Sequence, residues 1–125
     1  KMLQMLQATL AADISDAADT TQFTIEAPYR GVLRLDECFV RWSEATGTQT
    51  TTRGVISITV AGTEVATLTA NVSDAVGQTQ KYTAAGEKYI EFDAGDAIVL
   101  KTKTQAVDGT IIGDGDVTLS LEWGV

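Results

Sequence analysis

The sequence predicts an all-β fold, an antiparallel β-sandwich of jelly-roll type with about seven or eight strands. From residue 22 onward, apolar residues recur at every second position, which is the period of a half-buried strand. Threonine, valine and isoleucine are abundant, and the only proline is Pro28. A chain of 125 residues suits one domain and can bury a sizeable core without disulfides.

The first twenty residues differ in kind from the rest of the chain. Their apolar residues lie at helix-like spacings, at Met2, Leu3, Met5, Leu6 and Leu10. We predict an N-terminal arm or short helix over residues 1–20 and a single β-sandwich domain over residues 21–125. A helix would cover an open end of the sandwich, whereas an arm would lay its apolar side on a neighbour. These five apolar residues are therefore candidates for binding a partner.

Alternation predicts strands over 22–26, 31–42, 54–60, 63–69, 88–92, 97–104 and 116–123. The second of these changes parity midway, because Leu33 and Leu35 share one side whereas Cys38 and the apolar residues after it fall on the other. A bulge near Asp36 and Glu37 would restore a common face and divide this strand into two pieces.

Glycines and acidic residues predict the turns. Ala61 and Gly62 interrupt "ISITVAGTEVATLT", which reads as a hairpin. In "YIEFDAGDAIVL", Asp93 and Asp96 flank Gly95, and this pattern predicts a corner rather than a catalytic carboxylate pair. The polar segments 43–53 and 71–87 read as long surface loops.

Composition excludes several classes of function. The chain has no histidine, which removes Ser-His-Asp and Cys-His catalysis, and its single cysteine, Cys38, reads as a buried apolar residue. We predict no enzyme activity and no cofactor. The formal charge of -8 argues against a nucleic-acid partner, and no apolar window is long enough to span a membrane.

Two charged groups are candidate sites. Asp108, Asp114 and Asp116 in "DGTIIGDGD" offer oxygen ligands for calcium, although their spacing does not match an EF-hand, and turn residues are the favoured reading. Arginines are concentrated in one strand segment, at Arg30, Arg34 and Arg41. They form either a solvated face or a docking stripe for an acidic partner surface.

The order of features resembles that of small tailed-bacteriophage capsid decoration, or cement, and head-fibre-like proteins. The likeness runs from "TLAADISDAADTTQFTIEAPYRGVL" through the "ISITVAGTEVATLT" hairpin and "FDAGDAIVLKTKT" to the last strand, "VTLSLEW". This resemblance implies a non-enzymatic jelly-roll protein on the outer surface of a virion. It also implies the major capsid protein as partner and, often, a homotrimer.

Two other functions stay open. A glycan-binding adhesin or fibre-like module would use the loops 43–53 and 71–87 as its rim and Tyr82 and Tyr89 as stacking platforms. A carboxylate-based glycosidase would need two acids across a cleft, for which the chain is short, and it ranks last.

Overall fold

A computed structural model describes residues 2–9, 20–43, 54–70, 74–104 and 115–124 of the chain. Its strands are β1 (Met2–Thr9), β2 (Thr20–Glu26), β3 (Gly31–Arg34), β4 (Phe39–Trp42), β5 (Gly54–Val60), β6 (Thr63–Thr69), β7 (Thr79–Lys81), β8 (Thr83–Ala84), β9 (Tyr89–Phe92), β10 (Ala97–Thr104) and β11 (Gly115–Trp123). A single turn of 3₁₀ helix, Leu35–Glu37, joins β3 to β4. The predicted all-β sandwich is confirmed.

The strands form two antiparallel sheets. In sheet A, β11 pairs with β1 and also with β3 and β4, which in turn pair with β9 and β7. Sheet B has the order β2, β10, β5, β6, β8. Strands β3 and β4 act as two halves of one long strand, because both pair with β11, at Leu33 opposite Leu121 and at Val40 opposite Val117.

The pairing is nested along the chain. The first strand, β1, pairs with the last, β11, and β2 pairs with β10. Inside these pairs, β3 and β4 meet β9 and β7, and β5 forms a hairpin with β6. A chain folded back on itself in this way and divided between two sheets has the topology of a jelly roll.

The core lies between the sheets and explains why the period is two. On β11, every second side chain is buried in it, from Val117 through Leu119 and Leu121 to Trp123. Sheet B contributes Ile56, Ile58, Leu68, Ile98 and Leu100, all almost completely buried. Phe92 packs edge-on against Trp123, with ring centroids 5.4 Å apart.

An N-terminal helix is wrong, because residues 2–9 form strand β1. This strand pairs with β11 in unbroken register, from Met2 opposite Trp123 to Thr9 opposite Asp116. Apolar residues at both parities fit a strand as well as a helix, and pairing with a segment over a hundred residues away decides between them. Leu10 lies outside the described residues, and the boundary at residue 20 stays a prediction.

The break in the long second strand is confirmed, with a 3₁₀ turn rather than a bulge as its cause. Leu35 is buried at the start of the turn, and Cys38 is buried directly after it. The turn therefore restores one inward face for Leu33 before it and for Val40 and Trp42 after it.

The other turns and loops agree with the sequence in part. Ala61 and Gly62 both have positive φ, 50° and 83°, as a two-residue hairpin turn requires. Two short strands, β7 and β8, lie in the segment 71–87 that was predicted as a loop. No helix among the described residues is long and apolar enough to cross a membrane.

Candidate docking surface

The outer face of sheet A carries most of the charged side chains that the sequence singled out. Along β3 and β4, Leu33 and Val40 are buried in the core, so the alternate residues Arg34 and Arg41 lie on the opposite, outward side. Arg30 directly precedes β3 at the same parity. The three predicted arginines thus occupy one side of one interrupted strand.

Arg34 stands at the centre of a polar cluster on this face. Its guanidinium lies 3.5 Å from a Glu37 carboxylate oxygen and 4.0 Å from one of Glu122. The guanidinium also lies 5.4 Å from the centroid of the Tyr89 ring, within cation–π range. The Tyr89 hydroxyl donates to Asp36 at 3.4 Å. We call Arg34, Asp36, Glu37, Tyr89, Ser120 and Glu122 the Arg34 cluster.

The 3₁₀ turn positions the acidic members of this cluster. It directs Glu37 over β11, where Ser120 donates its hydroxyl to a Glu37 carboxylate oxygen at 2.9 Å. Ser120 is fully buried although it alternates with the core residues Leu119 and Leu121. The hydroxyl thus satisfies the Glu37 carboxylate that lies over it on the outer face.

The cluster is a preorganised patch. The Tyr89 hydroxyl, followed by the Glu37 carboxylate, raises the pKa of Arg34 above its usual value. Arg34 is thus a permanent cation held against an aromatic ring. Tyr89 remains half exposed, at 50%, so its outer ring face is free to contact a partner.

A shallow cavity of about 490 Å³ lies beside this cluster, at the start of β3. Its walls carry side chains of both charges, Arg30, Glu91, Asp93 and Asp96, together with the apolar residues Val32 and Phe92. Within the described residues no group of three or more acidic, histidine or cysteine side chains is placed to hold a metal ion.

The "AGD" corner forms one wall of the cavity, and its predicted role as a turn is confirmed. Asp96 accepts a hydrogen bond from the Asp93 amide at 2.8 Å and returns its own amide to the Asp93 carbonyl at 3.1 Å. Gly95 has φ +89° and donates its amide to Ala27, 2.7 Å away. One of the two carboxylates is therefore engaged in closing the turn.

The remaining predicted residues fall into three groups. Met2, Leu3, Met5 and Leu6 lie in β1, whose backbone alone is described. Asp108 and Asp114 lie outside the described residues, and Asp116 is in β11 opposite Arg41. Cys38 is buried, as predicted, and burial raises the pKa of its thiol to about 11.

Sequence reasoning singled out Tyr89 only as a stacking platform for sugars and Asp36 and Glu37 only as the break in the strand, and it did not connect them with Arg34. Outward exposure of Tyr89 follows from the inward parity of Ile90 and Phe92, but its approach to Arg34 depends on pairing between β3 and β9. Tyr82 cannot serve as a stacking platform for sugars, because it is only 7% exposed.

No protein family and no curated protein matches the chain. A chain in the structure of infectious bursal disease virus Gx strain is similar, with 16% identity over 98% of this chain and a TM-score of 0.44. A family 35 carbohydrate binding module from Clostridium thermocellum has 14% identity over 98% of this chain and 92% of its own, with a TM-score of 0.40. The Gt strain of the virus gives 14% identity, 96% coverage and a TM-score of 0.35. This chain spans 32% of each viral chain. At such identities the likeness is one of fold alone.

Proposed function

We propose that this chain is a non-enzymatic structural protein that binds the outer surface of an assembled viral capsid and stabilises it. Docking would use the outer face of sheet A. The partner is the major capsid protein, and the resemblance to capsid decoration proteins of tailed bacteriophages supports this choice. The protein would then reside on the outer surface of the virion.

The observation that carries the proposal is the Arg34 cluster with its half-exposed tyrosine. Tyrosine and arginine are the residue types that most often dominate binding energy at protein interfaces. Tyr89 is held by Arg34 and Asp36 before any partner arrives, so little side-chain entropy remains to be lost on docking.

The charges on this face favour a specific protein surface over a general polyanion. Arg34 is already paired with Glu37 and Glu122, whereas Arg41 is exposed at the other end of the interrupted strand. Carboxylates lie next to both cations, with Glu37 and Glu122 beside Arg34 and Asp116 opposite Arg41. This mixture of charges would fix the orientation of a partner with complementary charges.

Co-sedimentation with capsids that lack this protein tests the proposal. We expect Tyr89→Ala to weaken binding by about thirtyfold or more, because truncating an anchor residue that dominates an interface costs about 2 kcal/mol or more. Arg41→Glu should weaken binding more at low salt than at high salt, because Arg41 is exposed and salt screens its attraction to a partner.

Lys101→Glu is the matched control, because Lys101 is a partly exposed cation on sheet B, between the buried residues Leu100 and Thr102. Binding should survive this charge reversal. Equal binding by the Tyr89→Ala, Arg41→Glu and wild-type proteins would contradict docking through the outer face of sheet A.

Glycan binding is a second candidate, favoured by the polar cavity beside Arg30. Arginine and carboxylates together can hydrogen-bond sugar hydroxyls, and the cavity holds both types. A glycan array probed with wild type and with Arg30→Ala tests it. Binding by wild type that Arg30→Ala loses supports the glycan module. No binding by either protein contradicts the glycan module and is what the capsid proposal predicts.

A further inference from the structure

The outer edge of β1 differs from every other sheet edge in the described part of the chain. Strand β1 reads "MLQMLQAT", eight residues without a charge, a proline or a glycine. Its register against β11 is unbroken from end to end. Among the described residues β1 pairs with β11 alone, so one row of its backbone amides and carbonyls faces away from the sheet.

The other edges carry features that discourage pairing with a further strand. At the far side of sheet A, β9 has four residues, including Glu91, and β7 has three, including Lys81. On sheet B, β8 has two residues. The other outer strand of sheet B, β2, has a shifted register against β10 and ends at Glu26.

We propose that β1 pairs, antiparallel, with β1 of a second copy of this chain. The two strands would be related by a twofold axis perpendicular to the sheet, which joins the two copies of sheet A into one continuous sheet. Without such a partner, the unpaired edge of β1 would be a site of aggregation, because the strand is long and uncharged. This inference rests on the strand edge and holds whether or not the capsid is the partner.

Symmetry restricts the register to two arrangements that pair seven residues of each strand. A perpendicular twofold axis places one residue opposite its own copy, because facing residues share a face of the sheet. With the axis at Met5, Gln4 meets Leu6 and Leu3 meets Gln7. With the axis at Leu6, Gln4 meets Ala8 and Met5 meets Gln7. Neither arrangement opposes like charges.

A second copy is the occupant because the rest of the surface is poorly suited to self-association. The chain carries a net charge of -8, which makes two copies repel through most faces. Strand β1 contributes none of that charge, and the backbone donors and acceptors of an open antiparallel edge match those of its own copy across a twofold axis. Twofold pairing closes after two copies and so predicts a dimer instead of the trimer that the family resemblance implies.

Disulfide trapping in the full-length protein tests the pairing and its register. Met5→Cys or Leu6→Cys should form a covalent dimer on mild oxidation, whichever lies on the axis. Its rate should exceed that of Thr24→Cys by about tenfold or more, since pairing raises the local thiol concentration. Thr24 is the control because it is an exposed residue of β2, the outer strand of sheet B.

Light scattering of the unmodified protein gives the second measurement. We expect the wild-type protein to have the mass of two chains. Met5→Lys should reduce the mass to that of one chain and leave the far-ultraviolet circular dichroism spectrum unchanged. Thr24→Lys should keep the mass of two chains. A wild-type monomer or trimer would overturn the proposal, and so would trapping of both β1 cysteines no faster than the Thr24 control.

Discussion

At the scale of single residues, Gly31 is the position where a methyl group would cost most. A Cβ built there would lie 2.2 Å from the Glu122 carbonyl oxygen and 2.8 Å from the Phe92 ring. The carbonyl belongs to a paired strand and cannot move aside. We expect Gly31→Ala to lower the free energy of unfolding by about 1–3 kcal/mol, as overpacking does.

Urea unfolding measures this cost, and Gly86→Ala is the matched control. A Cβ at Gly86 has no neighbour within 4 Å, so that substitution should change the unfolding midpoint little. Equal midpoints for the two variants would show that β3 and β11 approach each other less closely than the structure has them.

Because of Cys38, the free energy of unfolding should decrease as the pH rises in the alkaline range. Burial raises the pKa of its thiol from 9.0 to about 11, so between these values the unfolded chain releases a proton that the folded chain keeps. Stability contributed by the neutral thiol is complete below pH 9 and is lost as the pH rises toward 11, at about 1.4 kcal/mol per pH unit.

The measurement is urea unfolding of wild type and Cys38→Ala at several pH values from 8 to 10.5. Other groups titrate in both proteins, so the difference in slope isolates Cys38. We expect the variant to lose less stability with rising pH. Identical slopes would contradict the buried, neutral thiol.

At the scale of elements, the corner between β9 and β10 depends on one carboxylate. Asp96 accepts the Asp93 amide, whereas the Asp93 side chain has no such role in the turn. Asp96→Ala should lower the free energy of unfolding by about 1 kcal/mol, the usual worth of such a hydrogen bond. Asp93→Ala is the control and should change thermal stability little; a larger loss for Asp93→Ala would reverse the assignment.

The sequence predicts a strand correctly where its own residues alternate, and it fails to predict one that is identified only by pairing with a distant segment. Strands β5, β6 and β10 have the predicted bounds, because each alternates between apolar and polar residues and is bounded by turn residues. β1 has apolar residues at both parities, so only its pairing with β11 identifies it as a strand.

The same limit applies to the candidate docking surface. The sequence placed Arg34 and Arg41 in one strand segment, since that requires only local alternation, whereas their common side depends on the 3₁₀ turn between β3 and β4. Contact between Arg34 and Tyr89, and between Glu37 and Ser120, joins segments far apart in sequence. Such contacts follow from the nested topology, which no local pattern specifies.

At the scale of the whole molecule, the nested pairing predicts one cooperative unit. Strand β11 lies between β1 and the interrupted strand β3–β4, and a tryptophan reports each of its ends. Trp42 packs against the β11 residue Gly115, and Trp123 is the last residue of β11. Losing either end of β11 would leave core side chains of both sheets uncovered, so neither end should unfold alone.

Single-tryptophan variants test this cooperativity. Trp42→Phe retains the reporter at one end of β11, and Trp123→Phe retains the reporter at the other. In each variant the fluorescence and far-ultraviolet circular dichroism transitions in urea should coincide when measured at one protein concentration. A fluorescence transition that precedes the loss of strand signal would mean that one end of the sandwich opens independently. Because β1 pairs with β11 along its whole length, an early Trp123 transition would also imply early release of the start of β1, where Met2 lies opposite Trp123.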